Sequence, residues 1–311
     1  MPNLSQVTEF DLTLFDDDVT RDKLKVMNRL EAMFDDARNK LPDNYFSMVD
    51  QLPLGATVRF TMEVIAHARG GYAAPSRISH CTLTGVDDRT PLYALADISR
   101  EYGFAEWGFL YSPSRAGLPG RYPSIAKIQR ALQGLPAEVG VALHVCGDGV
   151  LNLLVEEPGV SALVQQVGQR GGRVQLNFSL NRGSVAIERL RGLFSRFPDT
   201  TFITQYNAAN LGVADALTGF ANHAVLMDAS GGNGLTPSEW PALIAGVSCG
   251  YAGGLGPDTL QLELGKIAKV AGDTPVWVDM ESKIRTPDNS GIDWLDLDKA
   301  WQCLAIVSEF G

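Results

Sequence analysis

Cysteine and histidine are scarce, four of each in 311 residues. The cysteines (Cys81, Cys146, Cys249 and Cys303) stand far apart with no Cys-x-x-Cys spacing, which argues against a zinc site or a disulfide framework and for reduced thiols. Positive charge is also short: 26 Lys and Arg face 36 Asp and Glu, a formal balance of −10. A general nucleic-acid or acidic-membrane binder needs clustered cations, so neither partner is expected. No apolar run has the length of a membrane span. The opening MPNLSQVTEFDLTLFDDD lacks the basic-then-apolar pattern of a signal peptide, so a cytoplasmic location is expected. Glycine pairs such as Gly147-Asp148-Gly149 lack dinucleotide-binding spacing, and no cofactor is expected. His144 and Cys146 form a His-x-Cys pair with no third ligand close in sequence, so no metal is expected either.

What is present is a globular composition, 45% hydrophobic and 20% charged. Leu24, Met27, Leu30, Met33 and Phe34 recur at helical spacing over residues 21–40. Residues 57–66 (TVRFTMEVIA) alternate apolar and polar side chains, the period of a half-buried strand. Residues 1–76 are read as an N-terminal extension, suited to a contact with a second copy or a partner protein, and residues 77–311 as the main domain.

From residue 77, short β-branched runs alternate with helical stretches. Strands are expected at 77–84, 106–112, 139–146, 173–179, 201–207, 223–230, 247–255 and 275–282. Helices are expected at 92–102, 124–135, 185–197, 238–245, 259–270 and 297–310. Strict alternation implies parallel pairing through crossovers. A doubly wound sheet accepts this count, but a closed (β/α)8 TIM barrel suits the length better. In such a barrel the chemistry sits at the C-terminal strand ends. Polar residues gather there: Cys81 and Thr84, Ser112, Gln175 and Asn177, Gln205 and Asn207, Asp228, Asp279 and Glu281. Gly231, Gly232 and Gly234, then Gly253 and Gly254, follow the sixth and seventh strands, either as tight turns or as backbone donors for a phosphate, with Ser282 close in the next loop.

Taken in order, these strand ends resemble phosphoribosylanthranilate isomerase, a (β/α)8 family of tryptophan biosynthesis. HCTLT stands for a Cys-Gly-x-Thr signature, and GFLYSPSRAGLPGRYPS for a Gly-Phe-x-Phe strand with Ser-x-Arg-Tyr. VQLNF stands for Val-Gln-Leu-His-Gly, and LMDASGGNG for Leu-Leu-Asp with Gly-Gly-Thr-Gly. AGGLGPDTL and VDMES match Ala-Gly-Gly-Leu-x-Pro and Val-Asp-Val-Ser-Ser. The family performs a cofactor-free Amadori rearrangement of an N-linked ribose phosphate, an aldose–ketose isomerisation. The resemblance implies Asp228 as the acid that opens the ring and Cys81 as the base that takes the C2 proton. It implies Arg121, with Arg115 as the fallback, for a substrate carboxylate. A free thiol is only about 3% thiolate at pH 7, so such a base needs a positive local field.

The chain departs from the family at Thr82 (Gly), Asn177 (His), Asn233 (Thr) and Glu281-Ser282-Lys283 (Ser-Ser-Gly). Glu281 would repel a phosphate unless Lys283 or Arg285 compensates. The expected function is an isomerase-like enzyme acting on a phosphorylated sugar. The alternatives are a phosphosugar lyase, epimerase or hydrolase built on the carboxylates Asp228, Asp279 and Glu281, with or without a divalent metal, and a non-catalytic ligand-binding or assembly barrel.

Overall fold

The computed structural model describes residues 77–182, 185–228, 231 and 234–310. The helix and strand expected within residues 1–76, their contact role, and Gly232 and Asn233 lie outside the described residues.

Eight parallel strands close into a barrel in sequential order. They are β1 (Ile78–Thr84), β2 (Ala105–Tyr111), β3 (Gly140–Cys146), β4 (Arg173–Asn177), β5 (Thr201–Tyr206), β6 (His223–Met227), β7 (Ser248–Ala252) and β8 (Val276–Met280). β8 returns to β1, pairing Thr82 with Asp279 in register. The strands read as near-continuous apolar runs because both of their faces are covered, as parallel strands with helical crossovers require.

The helices are α1 (Leu92–Glu101), α2 (Ile125–Gly134), α3 (Asp148–Leu154), α4 (Pro158–Gln169), α5 (Ile187–Arg196), the single turn α6 (Val213–Ala216), α7 (Leu260–Ala271) and α8 (Leu297–Glu309). Their starts carry recognisable caps: Ser124 accepts from the Lys127 N–H, Glu157 caps a helix with Pro at its first turn, and Asp296 accepts from Lys299. On α5, Leu190, Leu193 and Phe194 form the buried stripe. Removing each such side chain from water contributes about 1.5–3 kcal/mol.

Two segments differ from expectation. No helix forms at 238–245; the segment is extended or turned. Pro241 disfavours helical geometry at Trp240 and offers no N–H, so the run cannot wind. It is tied down instead by side chains, with Trp240 Nε1 donating to Glu263 on α7 at 2.8 Å and the Tyr251 hydroxyl donating to the Pro241 carbonyl at 2.9 Å. The second difference follows β8. A 3-10 turn (Ser282–Ile284) leads into an antiparallel hairpin of β9 (Arg285–Pro287) and β10 (Asp293–Leu295) before α8. Asp288 closes its bend by accepting from the N–H groups of Ser290 and Ile292 and from Trp294 Nε1. Buried Arg285 donates to the carbonyls of Gly85 and Asp293, and pairs with Asp87 at 3.5 Å, fixing the hairpin to the β1 exit.

Inside the barrel the floor is charged. Arg173 on β4 reaches across to Glu106 on β2, its Nε donating at 2.8 Å, and Thr82 donates to the same carboxylate at 2.8 Å. β2 and β4 are not neighbours, so this contact crosses the interior. The Arg173 guanidinium also lies 4.5 Å from the centre of the Trp277 ring. Gly250 makes room for that indole, since a Cβ there would come within 2.1 Å of it. Burial alone would raise Glu106, but Arg173 outweighs it and holds the carboxyl at about 2.

Candidate active site

Above this floor, at the C-terminal strand ends, opens a cavity of about 80 Å³. Thr84, His144, Gln175, Asn177, Gln205, Asp228, Asp279 and Glu281 line it, with Gly234, Gly253, Gly254, Ser282 and Lys283 along one side. Polar side chains from six strand ends thus converge on one opening, the arrangement expected of a barrel that binds a small molecule.

Asp279 is a strongly perturbed acid in this lining. The carboxyl is 6% exposed, and its Oδ1 accepts from Thr84 at 2.8 Å. Burial drives its pKa up to about 7; Thr84 and Arg173 pull it back, while Glu106 and Asp228 push with burial. His144 Nε2 lies 3.8 Å from Asp279 Oδ2 and 3.4 Å from Thr84 Oγ1. Burial lowers His144 to about 4, so it is neutral at pH 7 and forms no ion pair with the acid. Thr84 spends its hydroxyl proton on Asp279, which leaves its oxygen to accept from His144. At neutral pH, Asp279 is therefore shared between its acid and base forms, with a hydroxyl and a neutral imidazole as its nearest described partners.

Asp228, at the exit of β6, is held by Gln205 Nε2 at 3.0 Å. A second chain of hydrogen bonds fixes two amides. The Cys146 thiol donates to the His144 carbonyl, Asn177 Nδ2 donates to the Cys146 sulfur at 3.4 Å, and Gln175 Nε2 donates to Asn177 Oδ1 at 2.8 Å. Gln175 Oε1 is left as a buried acceptor without a partner among the described residues. Glu281 accepts from Arg121 at 2.8 Å, and the other arm of that guanidinium holds Asp293 of the hairpin. Burial pushes Glu281 upward and Arg121 pulls it back, with burial prevailing.

The structure places five expected site residues outside the cavity lining. Cys81 does not reach the cavity. Side chains alternate along β1, and since Thr82 and Thr84 point inward, Cys81 faces outward beneath α8, where Cys303 is one of its neighbours. It is fully buried, and burial raises its thiol well above the usual range, the opposite of what a thiolate base needs. Arg121 has both arms taken by carboxylates of the protein. Arg115 donates to the Tyr122 hydroxyl at 3.0 Å, outside the cavity lining. Asn207 caps a 3-10 turn by accepting from the Ala209 N–H, and Gly231 spends its N–H on the Asp228 carbonyl. Gly234, Gly253, Gly254 and Ser282 do border the opening. Their glycines also let two loops approach closely, since a Cβ on Gly254 would meet the Thr236 N–H at 2.7 Å. Arg285 is committed to the hairpin, so Lys283 is the cation left beside those glycines.

Sequence reasoning undervalued Thr84 and His144. A signal for Thr84 existed: Gly85 follows it, and its left-handed backbone (φ +108°) marks where β1 leaves the barrel wall. Among the described residues no three His, Cys, Asp or Glu side chains are grouped to hold a metal ion. Nor, among them, is any helix long and apolar enough to cross a membrane.

No protein-family model and no curated protein matches the chain. Among solved structures it is similar to TrpF from Jonesia denitrificans, at 15% identity and a TM-score of 0.48, over 74% of this chain and 97% of that one. It is similar also to phosphoribosyl anthranilate isomerase from Thermotoga maritima, at 16% identity and a TM-score of 0.46, over 75% of this chain and 100% of that one. A third similar structure, at 16% identity and a TM-score of 0.45 over the same shares, is of phosphoribosyl anthranilate isomerase in complex with reduced 1-(o-carboxyphenylamino)-1-deoxyribulose 5-phosphate.

Proposed function

We propose that the barrel is a cofactor-free isomerase of a phosphorylated sugar, working by acid/base chemistry between Asp279 and Asp228. The observation that carries this reading is a pair of carboxyls at the exits of β6 and β8 in one cavity, one of them poised at about 7. An aldose–ketose rearrangement needs a proton delivered to the ring oxygen and another removed from the carbon beside the carbonyl. A group with a pKa near the working pH is the best compromise between having the proton and giving it up. Asp279 takes the carbon-bound proton, the step the family resemblance gave to Cys81, and Asp228 serves the ring oxygen. Thr84 orients Asp279, and neutral His144 leaves its charge unquenched until a proton arrives. The phosphate lies at Gly234, Gly253, Gly254 and Ser282, with Lys283 balancing its charge. Arg121 reduces the repulsion from Glu281 by engaging that carboxylate.

The test is turnover of a panel of aldose phosphates and N-ribosyl phosphates. Wild-type kcat/KM should rise with pH through an inflection near 7 as Asp279 becomes a base. Asp279→Asn should lower kcat by about 10²–10⁴-fold, the usual worth of a general base. Full activity in both Asp279→Asn and Asp228→Asn would remove the assignment.

A further inference from the structure

The inference concerns what the substrate presents at the Glu281 side of the cavity, and it rests on the phosphosugar reading above. Three independent observations bear on it. First, the Arg121 fork is closed from within by Glu281 and Asp293, so it has no arm left for a carboxylate ligand. Second, the lining is dominated by acceptors: Asp228, Asp279 and Glu281 face one opening, and Lys283 is its one cation among the described residues. Third, Gln175 Oε1 is a buried acceptor in that lining with no partner among the described residues, its orientation dictated by the Cys146–Asn177–Gln175 hydrogen-bond chain. An acceptor removed from water and left unpaired is costly, and a donor on the ligand offsets that cost.

We propose that the substrate carries an amine in its ammonium form against Glu281 and a second hydrogen-bond donor against Gln175, and no carboxylate at Glu281. Glu281 is then the specificity-determining residue. It accepts from the ammonium while occupying the guanidinium that a carboxylate would otherwise claim. Lys283 stands by the glycine loops, so the substrate is an amino-sugar phosphate with its charges at opposite ends.

The experiment is calorimetric binding of three unreactive ligands to the full-length protein. They share a phosphate tail and differ at C1: ribitol 5-phosphate, 1-amino-1-deoxyribitol 5-phosphate, and the o-carboxyphenylamino compound. The amine should bind wild-type protein at least about tenfold more tightly than the hydroxyl compound, the scale of one charge-assisted hydrogen bond, and the carboxylate compound most weakly. In Glu281→Gln the amine's advantage should shrink to within about twofold, and the carboxylate compound should gain as Arg121 is released. Equal binding of all three, or tightest binding of the carboxylate compound by wild-type protein, overturns the inference and leaves the phosphosugar reading standing. Binding of none overturns both. The wild-type ranking decides the matter even if the variant fails to fold.

Discussion

Glu106 and Asp279 are carboxyls inside the same barrel, 3% and 6% exposed, yet they titrate in opposite directions. Glu106 sits on the floor with the Arg173 guanidinium bonded to it and falls to about 2; Asp279 sits under the cavity with a threonine and a neutral histidine and rises to about 7. Desolvation is the leading influence on both and acts the same way on both. The cation makes the difference. A buried carboxylate bonded to a guanidinium is a fixed part of the scaffold, whereas one whose nearest partners are a hydroxyl and an imidazole holds its proton loosely at neutral pH.

Removing the cation should erase the contrast, and this is the largest effect expected. Arg173→Met leaves Glu106 as an unpaired buried charge, which costs about 3–5 kcal/mol of stability. Urea denaturation would measure it. The double replacement Glu106→Leu with Arg173→Met should recover most of that loss, because no charge is then stranded. A single variant as stable as wild type would mean that the floor pair is not what holds Glu106 ionised.

The next effect is the pH dependence of stability, where the two acids have opposite signs. Asp279 has a folded pKa above its unfolded value near 4, so its contribution is complete below about 4 and is lost as pH rises through about 7. Glu106 has a lowered pKa, so its contribution is present above about 4.5 and is lost as pH falls through about 2. Asp279→Asn should therefore gain stability relative to wild type between pH 4 and 7, by up to a few kcal/mol, and level off above. Glu106→Gln should fall furthest behind wild type above pH 5. Parallel stability–pH curves for Asp279→Asn and wild type would show that Asp279 titrates as an ordinary surface acid.

The sequence carried the strand set well, because parallel strands buried on both faces leave β-branched runs at regular intervals. It carried the phase of those strands poorly. Cys81 and Thr84 are three residues apart on one strand and so cannot share a face, yet runs covered on both sides show no polar–apolar alternation to say which one looks inward. Asp228, Asp279 and Gln205 were legible as polar residues at strand ends. The closed Arg121 fork was not, because its partners Glu281 and Asp293 are 160 and 172 residues away and no local pattern records such a pairing. The helix expected at 238–245 does not form for a local reason: the ring and missing N–H of Pro241 prevail in a run that short.

The smallest effect sharpens the comparison at β1, between the residue that faces the cavity and the one that faces the helices. Cys81→Ala removes a buried sulfur packed beneath α8 and should cost about 1–2 kcal/mol, read as a drop of a few degrees in Tm. Its kcat/KM should stay within about twofold of wild type, because the thiol is shut off from the cavity and burial keeps it protonated. Native protein should likewise leave Cys81 unlabelled by a thiol reagent that reacts with it fully once the chain is unfolded. Thr84→Val, on the opposite face, should act on the rate profile as well as on stability. It strands buried polar groups on Asp279 and His144, at a cost of about 1–3 kcal/mol, and without the hydroxyl donor the inflection in the rate profile should move to higher pH. A large loss of turnover in Cys81→Ala with an unmoved profile in Thr84→Val would reverse the two faces of β1 and restore the thiol as the base.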